Sequence, residues 1–90
     1  MDGSLNKLTV VELLDRGANL HCAGDLLSAE FVYNQILLEQ PNHPEANHNL
    51  AIVLIVQGNL DGAVKHLKTC LNANPNVNLF WATYIDVLIK

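Results

Sequence analysis

The chain has 90 residues and a formal charge of -4; half its residues are apolar and only 16% are charged. That balance excludes a disordered chain, and the length gives one small domain. Five basic residues scattered along the chain give no cationic cluster to displace counterions, so nucleic acid is not an expected partner.

The charge is uneven: six acids and two bases precede Pro44, while three of each follow from there on. Cys22 and Cys70 form no short-spaced pair, and a cytoplasmic location is expected for so thin a cysteine framework. Met1 to Glu12 carries Asp2 and no basic stretch leading into an apolar core, which is not a signal-peptide pattern. The longest apolar run, Leu50 to Val56, is too short to span a bilayer, and no membrane partner is expected.

In chain order, Thr9 and Glu12 form a capping box that starts a first helix through Leu13, Leu14, Gly17 and Leu20 towards Cys22. Gly24 ends it, and Asp25 caps a second helix carrying Leu26, Ala29, Val32, Tyr33, Ile36 and Leu37 at three- and four-residue spacing. Pro41 stops that helix, and Pro44 opens a third. Gly58 ends the third, Asn59 caps a fourth that Pro75 closes, and Leu79 to Ile89 reads as a fifth. No strand is expected, since glycine and proline bracket segments of helix length.

A displacement of 34 residues superposes the punctuation: Gly24 on Gly58, Ala29 on Ala63, Pro41 on Pro75, Asn42 on Asn76. This is the period of a helix-turn-helix array, whose units bury their apolar faces by stacking on one another. Within it, Gly17, Ala29, Tyr33 and Pro41, then Leu50, Ala51, Leu54, Gly58, Ala63, Leu67 and Pro75, and finally Trp81, resemble the tetratricopeptide repeat pattern. Leu13 and Asn47 depart from it at the tryptophan position and Arg16 at the leucine position, and Cys70 stands where alanine is usual.

The resemblance implies an all-α, right-handed solenoid of five helices: repeat 1 over about 10–43, repeat 2 over about 44–77, and a partial repeat or capping helix over 78–90. The unfinished third unit leads us to expect a piece of a longer protein. Residues 80–90 are similar to repeats that precede bacterial glycosyltransferase, sulfotransferase or methyltransferase domains, which makes a substrate-docking role the alternative to a free-standing interaction module.

The resemblance also implies a concave wall built from the first helix of each hairpin. Its expected partner-binding residues are Leu14, Asp15, Ala18 and His21 with Val11; Glu45, His48, Asn49, Ile52 and Ile55; and Thr83 and Asp86 with Leu79. Asn49 takes the position where some members of the family bind peptide backbone with a side-chain amide, which donates and accepts at once. The Lys and Arg clamp for C-terminal carboxylates is missing from this wall, and Lys65 and Lys68 fall on the outer surface.

Leu50 to Val56 is apolar on every side of its helix, so neighbours or a partner must cover it. Phe80, Tyr84, Val87, Leu88 and Ile89 give the last helix an uncapped apolar face through which self-association is expected. His21, His43, His48 and His66 match no zinc spacing, Cys22, His21 and Asp25 diverge at a helix end, and no glycine-rich loop follows a strand. An interaction module without cofactor, metal or catalytic residues is therefore expected.

Overall fold

The computed structural model describes residues 9–90. The segment 1–8, on which most of the signal-peptide reading rests, lies outside the described residues. Five helices follow in order, α1 (Val10–Cys22), α2 (Leu26–Glu39), α3 (Pro44–Val56), α4 (Leu60–Ala73) and α5 (Asn78–Leu88), and no strand occurs among the described residues.

Local chemistry sets each boundary. Thr9 Oγ accepts from the Glu12 amide at 3.1 Å while the Glu12 carboxylate accepts from the Thr9 amide at 2.9 Å, completing the capping box of α1. At the other end the Asp25 amide donates to Leu20 O and the Gly24 amide to His21 O, with Gly24 at φ 84°. That closure needs a left-handed residue, which glycine supplies without a Cβ clash. One period later Asn59 donates to Leu54 O, Gly58 to Ile55 O, and Gly58 has φ 83°.

Asp25 and Asn59 then cap the following helices, accepting from Ser28 N at 3.3 Å and Gly62 N at 3.0 Å. His43 caps α3 with a ring nitrogen, Nδ1 accepting from Ala46 N at 3.1 Å, a function the sequence reading did not give it. Val77, its counterpart before α5, has no side chain able to do so.

Each helix packs on its chain neighbours, and α3 additionally touches α1 and α5, so the first helices of successive hairpins lie side by side. The core runs along this stack through Ala29, Tyr33, Ile36, Ala46, Leu50, Ala51, Val53, Ala63, Leu67 and Cys70, all nearly inaccessible. The apolar run in α3 is accounted for by these neighbours: Leu50, Ala51, Val53 and Leu54 are buried, Ile52 and Ile55 half-buried, and Val56 alone exposed.

The last helix corrects one expectation. Phe80 and Val87, read as part of an open apolar face, are buried against the stack; the exposed apolar residues of α5 are Leu79, Trp81, Ile85 and Leu88, with Ile89 just beyond it. No described helix is long and apolar enough to cross a membrane.

Candidate functional site

The side-by-side packing of α3 and α5 leaves a groove of about 530 Å³ whose α3 bank carries Glu45, His48, Asn49 and Ile52 and whose α5 bank carries Leu79 and Phe80. His43, Pro44, Asn74 and Val77 complete the lining. Glu45 is the only residue of the Asp, Glu, Lys and Arg class in this lining.

His48 was expected at an exposed wall position and is instead 3% exposed. His48 Nε2 and the Thr83 hydroxyl, which also lies 3.0 Å from Leu79 O, share a hydrogen bond of 2.9 Å across the two helices. The His48 ring tilts against Phe80 with centroids 4.9 Å apart. Burial pushes its pKa below the ordinary histidine value, opposed by Asn49 and by the Glu45 charge. His48 and Thr83 thus join the two banks of the groove.

Asn49 is half-buried beside both Tyr33 and His48. Burial raises the Tyr33 phenol, and the Asn49 amide acts against that rise.

The remaining residues assigned to the wall scatter. Asp15 lines a separate depression on α1 with Glu12, Arg16, Asn19 and Leu20. Leu14 and Ile55 pack partly against the core. Ala18 is exposed and His21 half-buried on α1, and Asp86 is exposed and ion-paired with Lys90 at 3.3 Å. The groove therefore unites Glu45, His48, Asn49 and Ile52 with Leu79, adds Thr83 through its bond to His48, and leaves the α1 residues out.

Phe80 and Val77 were missed as groove residues. Phe80 lies one period beyond Ala46, a core position, and that register was the available signal for an inward side chain. Cys70 is fully buried, burial pushes its thiol up to about 11, and its sulfur donates to Leu67 O. No group of three metal-ligating side chains occurs among the described residues.

Paired helices in a 34-residue register, with a groove between successive first helices, define a helical-repeat protein. The family model of the tetratricopeptide repeat matches residues 21–84, and the chain belongs to that family. No curated protein matches the chain. Members of this family are generally protein-interaction modules.

Proposed function

We propose that the chain holds a peptide segment of a partner protein in the α3–α5 groove, with Ile52 and Leu79 supplying apolar contact and Asn49 a backbone-pairing amide. The groove itself carries this reading: a concave, mixed apolar and amide surface whose two banks are tied together by His48 and Thr83. With Glu45 as its one charged residue and no Lys or Arg among its lining, it favours neutral or basic peptides over C-terminal carboxylates.

The test is a peptide array probed with the 90-residue chain, followed by titration of the best binders. Asn49→Ala and Ile52→Asp are each expected to weaken binding about tenfold, equivalent to about 1.4 kcal/mol, with helix content unchanged by circular dichroism. Equal affinity for the wild type and both folded variants would overturn the site.

A further inference from the structure

We propose that His48 and Thr83 form an acid-sensitive clasp that sets the spacing of α5 from α3, so that the groove holds peptide tightly while the imidazole is neutral and loosely once it is charged. The inference rests on the peptide-binding reading of the groove and adds its regulation.

The repeat register shows that stacking does not require the clasp. α1 packs beside α3 as α3 packs beside α5, and one period back from His48, Phe80 and Thr83 stand Leu14, Ala46 and Asn49. Leu14 packs partly buried against the core, so an apolar side chain serves at that junction. The next junction carries instead a histidine that is 3% exposed, bonded across the helices at 2.9 Å and set against Phe80 with ring centroids 4.9 Å apart. This is the one side-chain hydrogen bond between α3 and α5 among the described residues. An ionisable group thus replaces leucine where the groove is formed.

A second proton on this ring places a cation out of reach of water. The bond to Thr83 survives, because a charged imidazole still donates from Nε2; the cost is the buried charge. From α5 the ring meets Thr83 and Phe80, neither of them charged, while Asp86 further along that helix is paired with Lys90. On its own helix Glu45 and Asn49 favour the cation, but burial outweighs them. α1 carries the exposed Asp15 in the register of Asn49, α2 brings Tyr33 to Asn49, and α4 brings His66, which is bonded to Asn47.

Moving α5 off α3 hydrates the ring and parts the banks that carry Asn49, Ile52 and Leu79. With α5 seated, His48 titrates below the ordinary value of about 6.5; with α5 displaced it titrates at that value, so acid favours the displaced form. One pH unit below 6.5, a single such group shifts this equilibrium by at most about tenfold, and peptide affinity falls with the seated fraction. Val77 gives α5 no side-chain cap, so its seat depends the more on contacts across the groove.

The test titrates the 90-residue chain with an array binder that has blocked ends and no His, Asp or Glu, so that the peptide keeps one charge throughout. Its Kd is expected to rise about three- to tenfold from pH 7.5 to pH 5.5. The rise is lost in His48→Gln and in His48→Leu, which writes the α1 residue into the clasp. Fluorescence of Trp81, the one tryptophan and a residue of α5, follows the same transition in the free chain and is level in both variants. Thr83→Val, which leaves the imidazole in place, weakens binding about threefold at pH 7.5 and Thr83→Ser restores it. Binding unaffected by Asn49→Ala and Ile52→Asp at either pH would overturn the groove reading and the clasp with it. Binding that responds to those two would overturn the clasp alone if it is level with pH, keeps its pH dependence in both His48 variants, or treats Thr83→Ser like Thr83→Val.

Discussion

At Gly17, a Cβ would stand 2.5 Å from Cε1 of the Tyr33 ring, which is itself 1% exposed and has no room to retreat. Alanine would gain about 0.5–1 kcal/mol of helix preference at this mid-helix position. Overpacking a filled core costs about 1–3 kcal/mol, so the clash wins. Gly17→Ala is expected to lower the urea midpoint with the slope unchanged, while an equal or higher midpoint would show that the ring yields. Asn47 shows where residue-level reading stops. The pattern marks it as a departure from tryptophan, yet Asn47 Nδ2 donates to Pro41 O at 3.1 Å and to His43 O at 2.9 Å. One period later the Trp81 indole donates to Pro75 O, so the amide and the indole satisfy the same carbonyl of the repeat. The Asn47 oxygen then accepts from His66 Nδ1 at 2.8 Å, a bond between helices that spacing alone could not announce.

At the scale of elements, the helix boundaries were legible because capping and closure are local chemistry written at Thr9, Gly24, Asp25, Gly58 and Asn59. The groove was legible only in part, because burial of a wall residue is decided by the next repeat: α5 brings Phe80 and Thr83 over His48, and nothing within α3 reports that. These inter-helix contacts have a pH consequence. Burial lowers the pKa of His48, which faces Thr83 and Phe80 on α5 with Asn49 and Glu45 on its own helix. Burial likewise lowers that of His66, which faces Asn47 on α3, with Glu30 on α2 raising it and Lys65 lowering it. Below the ordinary histidine value of about 6.5 the unfolded chain takes up protons that the fold refuses, so stability falls with pH in that window. Glu12 acts elsewhere: its pKa is lowered by the Thr9 amide and hydroxyl, so its contribution is lost only in the carboxylate range. Thermal melts are expected to show a midpoint that is level above pH 7 and declines from there to pH 5, with the decline reduced in His48→Gln/His66→Gln. An equal slope in that variant would assign it to other groups.

Over the whole molecule, an extended body of 50 × 28 × 18 Å in which helices touch only near neighbours has no single centre, and its stability is a sum over adjoining contacts. The helices do not share those contacts equally. α3 packs against all four others and buries seven residues, and α4 closes over it with Ala63, Leu67, Cys70 and Leu71. α1 stands at one end with a complete capping box and the Gly17–Tyr33 contact to hold it. α5 stands at the other with no side-chain cap at Val77, contacts to α3 and α4 alone, and only Phe80 and Val87 fully covered. Local opening follows the fewest buried contacts and the least satisfied ends, so α5 should open first, α1 next, and α3 with α4 last. Hydrogen exchange is expected to show that order. Uniform protection across all five helices would mean instead that the stack opens as one cooperative unit.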